Sequence, residues 1–92
     1  MDNIIIHYNI RISGRVQGVG FRYSAAGEAR YRGIRGFVKN LPDGNVYIEA
    51  EGSSEQLNSF VEWCRQGPRL GLVDSVTAEP APVVNHSSFS IR

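Results

Sequence analysis

Between residues 14 and 20 the chain reads Gly14-Arg15-Val16-Gln17-Gly18-Val19-Gly20, three glycines in seven positions. Upstream, Ile4, Ile6, Tyr8, Ile10 and Ile12 alternate with Ile5, His7, Asn9 and Arg11, the period-two pattern of a half-buried strand. Downstream, Phe21, Ala25 and Ala29 fall at i, i+4 and i+8, the apolar stripe of a helix over 21–32. A strand that enters a helix through a glycine-rich loop restricts the chain to folds built on a β-α unit. It also lets the loop backbone bend sharply and come close to a ligand.

The remaining pattern completes the unit. Gly33 suits a C-terminal helix cap, with Arg30 and Arg32 in the last turn opposing its negative end. Residues 34–41 read as a second strand, Pro42-Asp43-Gly44 as a turn, and Val46, Ile48 and Ala50 as the inner face of a third strand. Tyr47, Glu49 and Glu51 alternate with them, so that face is expected to be wet. Ser53 and Gln56 form a capping box ahead of Leu57, Phe60, Val61 and Cys64, an amphipathic helix that Gly67-Pro68 ends. A fourth strand is predicted over 73–78, a bend at Pro80 and Pro82, and a short strand at Phe89 and Ile91. The order β-α-β-β-α-β plus a short C-terminal strand predicts an α+β fold, the ferredoxin-like split β-α-β sandwich. Its antiparallel sheet carries two helices on one face.

Ninety-two residues predict one domain, 1–92, with a single core and no cofactor domain beside it. A net charge of +1 gives no bulk field for nucleic acid or anionic membrane, so any anion site must be built locally. The lone cysteine, Cys64, excludes an intramolecular disulfide. The run Ile4-Ile5-Ile6 is too short for a signal h-region or a membrane span, which predicts a cytoplasmic protein.

The loop carries the chemistry. Backbone N–H groups turned inward, added to the positive end of the helix, make an anion cradle. Arg22, in the first helical turn, can grip phosphate oxygens bidentately. The bland alternative is a tight glycine turn with a solvated arginine. Two other phosphate loops fail: Gly20 is followed by Phe21-Arg22 rather than Lys-Ser/Thr, and Tyr23 occupies the third glycine of the dinucleotide fingerprint.

The stretch from Gly14 through Gly20 to Phe21-Arg22 resembles the signature loop of acylphosphatases, and Gly36-Phe37-Val38-Lys39-Asn40 resembles that family's second motif. Asp43-Gly44 with Val46, Gly67-Pro68 and the closing Phe89-Ser90-Ile91-Arg92 extend the similarity over the whole chain. The resemblance implies hydrolysis of the carboxyl–phosphate bond of small acyl phosphates, without metal or other cofactor. It assigns phosphate binding to Arg22 and to loop amides of Arg15, Val16, Gln17, Gly18, Val19 and Gly20, and orientation of the attacking water to Asn40. An amide can donate to water and accept from it at once, but has no titratable lone pair with which to act as a base. Gly20 departs from the larger residue often found there in the family, which predicts a looser cradle.

Other groups read as structural. His7, His86 and Cys64 lack metal-ligand spacing, and Cys64 lies on an apolar helix stripe. Arg35-Gly36-Phe37 echoes the start of an RNA-binding motif on the same fold, but the match stops after Phe37. The alternatives to an enzyme are therefore a non-catalytic anion-binding module or an RNA-binding one. The expected state is a monomer with a small-molecule substrate and no nucleic-acid or membrane partner.

Overall fold

A computed structural model describes residues 4–92, so the first three residues of the expected 1–92 domain lie outside the described part. The elements are β1 (Ile6–Arg15), α1 (Phe21–Tyr31), β2 (Arg35–Asn40), β3 (Val46–Gly52), α2 (Ser54–Gln66), β4 (Leu72–Ala81) and β5 (Phe89–Ile91). They form one five-stranded sheet in the order β4-β1-β3-β2-β5. The ferredoxin-like α+β arrangement is as the sequence predicts.

Ile10, Ile12, Val38, Val46, Ile48 and Ala50 build the buried face of the sheet. α1 lays Phe21, Ala25, Ala26 and Ala29 on it, and α2 adds Leu57, Phe60, Val61 and Cys64. Burial of Leu57 or Phe60 stabilises the chain by about 1.5–3 kcal/mol each. Trp63 packs against the rings of Phe21 and Phe60 and locks the two helices together. The end of α1 is closed by backbone bonds, Gly33 N–H to Arg30 and Ile34 N–H back to Ala29, and by Arg32 Nη1 donating to the Glu28 carbonyl at 3.1 Å.

Three expectations are corrected. The sheet is mixed, because β5 runs parallel to β2. After β4 the chain crosses one end of the sheet from edge to edge. A chain that crosses and returns must run opposite to the strand it left, and that direction is the direction of β2. The strand expected over 73–78 extends through Pro80, which pairs with Tyr8 on the edge strand. An edge position tolerates a residue with no N–H to give. Finally, the far face is not wet throughout: Glu51 is 0% and His7 2% exposed, covered by residues 82–88 on their way to β5.

Candidate active site

β1, β2 and β5 run in the same direction, so their C-terminal ends share one end of the sheet. The glycine loop leaves β1 there, Asn40 closes β2 there and Arg92 follows β5 there. A pocket of about 120 Å³ opens between them, lined by Val16, Gly18, Gly20, Phe21, Arg22, Tyr23 and Asn40.

Gly18 and Gly20 hold φ of 77° and 78°, in the left-handed region, and nothing lies within 4 Å of where a Cβ would stand. Glycine is needed at these positions for backbone shape, not for space. Gly20 is the N-cap of α1 and offers no side-chain cap, and the first turn carries no acidic residue. The N-terminal N–H groups of α1 are therefore left for an outside acceptor. Arg22 is the single charged side chain on the lining. Its Nη1 donates to the Arg92 carbonyl oxygen at 2.9 Å, the only protein acceptor it meets among the described residues. The guanidinium is held by one donor and keeps others for a ligand. Asn40 Oδ1 is buried with no hydrogen-bond partner, the one such side-chain atom among the described residues.

The pocket brings together five of the eight residues singled out in the sequence: Val16, Gly18, Gly20, Arg22 and Asn40. Arg15 is the last residue of β1, paired with Leu72, and stands outside the lining. Val19 packs against the core. Gln17 turns its side chain away: Nε2 donates to the carbonyl oxygens of Leu41 at 2.8 Å and Asn45 at 2.9 Å. This contact solves a problem set by the topology. Asn40 ends β2, which does not adjoin β1, because β3 lies between them. Gln17 spans that gap and ties the loop to the β2–β3 turn next to Asn40. Nothing in the sequence separates Gln17 from its loop neighbours, because its partners are main-chain atoms 24 and 28 residues away. Phe21 and Tyr23, the latter 73% exposed at the rim, also line the pocket, and the sequence assigns neither a role there.

Two of the groups set aside, Cys64 and Phe37, stay aside. Burial pushes the Cys64 thiol well above the usual range, which rules against a nucleophile. Phe37 is 5% exposed, with the Arg92 guanidinium 3.9 Å above its ring and Tyr47 and His86 at its sides. It is not an open platform for stacking a base.

Fold and pocket together define a ferredoxin-like α+β domain with an anion site at its first strand–helix junction. Comparison with known proteins narrows this. The family profile described as Acylphosphatase matches residues 8–91. An acylphosphatase of Archaeoglobus fulgidus is 46% identical over 87 residues, covering 95% of this chain and 98% of the relative. The structure of an acylphosphatase from Coxiella burnetii superposes with a TM-score of 0.94 at 34% identity, covering 98% of this chain and 94% of that one. The acylphosphatase from Bacillus subtilis gives 0.92 at 42% identity, with 95% and 98% covered. The chain belongs to the acylphosphatase family. It is a hydrolase of that family, whose members act on small acyl phosphates, and the binding-module alternatives are not favoured.

Proposed function

We propose that Arg22 and the main-chain N–H groups of residues 15–20 hold the phosphoryl group of an acyl phosphate, and that Asn40 orients the water that attacks phosphorus. The observation that carries this is that Asn40 lines the pocket and its buried Oδ1 has no hydrogen-bond partner. A buried acceptor without a donor costs about 1–3 kcal/mol. A water donating to Oδ1 removes that cost and is aimed by the same contact.

The water oxygen forms a bond to phosphorus as the bond from phosphorus to the acyl oxygen breaks. The electron pair leaves with the carboxylate, and the water proton passes to a phosphoryl oxygen of the substrate. A carboxylate is a weak base and leaves without a general acid, and no carboxylic acid, histidine or cysteine lines the pocket. Rate acceleration then rests on alignment and on positive charge around the phosphoryl oxygens. The arginine and the amides supply that charge, so turnover is expected to survive a chelator. The 92 residues act as one domain and as a monomer in the cytoplasm, with a small-molecule substrate and no nucleic-acid partner. One continuous core and a net charge of +1 support that reading. No helix among the described residues is long and apolar enough to cross a membrane.

Benzoyl phosphate hydrolysis in excess EDTA tests the proposal, with Arg22→Ala and Asn40→Ala alongside. Turnover that survives EDTA and collapses in both variants supports it. Wild-type turnover lost to EDTA, or retained in either variant, overturns it.

A further inference from the structure

A second concentration of chemistry lies at the opposite end of the sheet, on the face the helices leave bare. His7 on β1 is the direct cross-strand partner of Glu51 on β3, and Asn9 is the partner of Glu49. Residues 82–88 close over them. The Glu51 carboxylate is fully engaged: Oε2 accepts from His7 Nδ1 at 2.7 Å and from the Val84 N–H, and Oε1 accepts from the His86 N–H at 2.9 Å. A carboxylate that accepts three hydrogen bonds is favoured in its ionised form. It is therefore an anion.

Glu51 occupies the Nδ1 edge of the His7 ring, so Nε2 faces the other side. What Nε2 meets there is unusual. Asn9 Oδ1 lies at 2.7 Å and Glu49 Oε1 at 3.6 Å, and His86 Nε2 lies 3.2 Å from the same Glu49 oxygen. Two ring nitrogens, a carboxylate oxygen and an amide oxygen are thus linked in one run of close contacts. A single cation can be shared among them.

We propose that His7 Nε2, His86 Nε2 and Glu49 Oε1 bind a divalent transition-metal ion, with Asn9 Oδ1 as the fourth ligand. A tetrahedral ion with arms of about 2.0–2.1 Å separates its ligand atoms by about 3.3 Å. The three separations found, 2.7, 3.2 and 3.6 Å, bracket that value. One ring nitrogen of His7 and one of His86 lie within 4.8 Å of each other and of a Glu51 carboxylate oxygen. An outer shell is already in place. Glu51 holds His7 from behind, the carboxylate–histidine–metal arrangement, and the Tyr47 hydroxyl donates to Glu49 Oε2 at 2.9 Å. Two imidazoles with a carboxylate and an amide oxygen suit Zn²⁺, Co²⁺, Ni²⁺ or Cu²⁺ better than Mg²⁺ or Ca²⁺. Both flanks of the closing segment are tied at this point, since β5 follows it directly. The ion staples that segment to the sheet and is separate from the phosphate pocket.

The test uses untagged full-length protein stripped with EDTA, then titrated with Zn²⁺ by calorimetry and with Co²⁺ by visible absorption. Expected are one ion per chain, the d–d bands of four-coordinate Co²⁺, and a rise in the thermal midpoint with Zn²⁺. His86→Ala and Glu49→Ala each lower affinity by at least about 100-fold, and Glu51→Gln, behind His7, by about 10–100-fold. His86→Ala keeps benzoyl phosphate turnover. Absence of stoichiometric binding by the wild type overturns the proposal. So does binding that both His86→Ala and Glu49→Ala retain, or a His7 ring found doubly protonated and unmoved by Zn²⁺.

Discussion

The two helices begin in opposite ways. α2 starts at Ser53, whose hydroxyl accepts from the Gln56 N–H at 3.2 Å while Gln56 Oε1 accepts from the Ser53 N–H at 2.8 Å. Glu55 in its first turn answers the positive end. α1 starts at a glycine with no side-chain cap and no acid. The first N-terminus satisfies itself and contributes stability, whereas the second is left open beside Arg22 and Asn40. A helix end that the chain does not close is a place where an anion can close it.

That contrast can be broken from either side. The largest effect is expected for Arg22→Ala: a fall in kcat/KM on the order of 10³-fold or more with benzoyl phosphate, by analogy with arginines in phosphoryl transfer. Thermal unfolding checks that the variant remains folded, since among the described residues the Arg22 side chain makes one hydrogen bond, to the Arg92 carbonyl. Asn40→Ala is expected to lower kcat on the order of 100-fold, the cost of a misplaced reactant. Its stability should stay level or rise, because the variant removes an unpartnered buried oxygen. A marked loss of stability would show that Asn40 is structural instead.

Two smaller effects sharpen the comparison. Ser53→Ala is expected to cost about 1 kcal/mol in urea unfolding with kcat/KM unchanged. Inorganic phosphate at 100 times its dissociation constant should stabilise the wild type by about 2.7 kcal/mol and Arg22→Ala by much less. An equal gain in both would place the anion elsewhere.

The far end of the sheet adds a pH signature. Glu51 titrates at about 2 in the folded chain against an ordinary 4.5. Its pKa is lowered by folding, so its contribution is complete above pH 4.5 and is lost as pH falls from about 4.5 to about 2. The urea midpoint of metal-free wild type should drop across that window, and Glu51→Gln should flatten the drop.

The loop, Arg22 and Asn40 were legible because each sits inside a short local pattern: a strand that ends in glycines, a first helical turn, a strand that ends in a turn. The capping box of α2 was legible for the same reason. Gln17 was not, because a side chain that grips main-chain carbonyls of a distant hairpin leaves no trace of that choice in its neighbours. Glu51 and His7 were misread for a related cause. Alternation tells which face a residue takes, and the outer face of a sheet is ordinarily wet. Nothing local says that residues 82–88 will return over it.

The sequence by itself determined the elements and the chemistry at their ends, since periodicity, caps and glycine conformation act over a few residues. Only the tertiary structure decided that β5 lies parallel to β2. It alone placed Asn40 two strands from the loop with Gln17 across the gap, and brought His86 to the buried His7 and Glu51. These depend on where the chain goes after each element, which is set by the summed burial of the whole core.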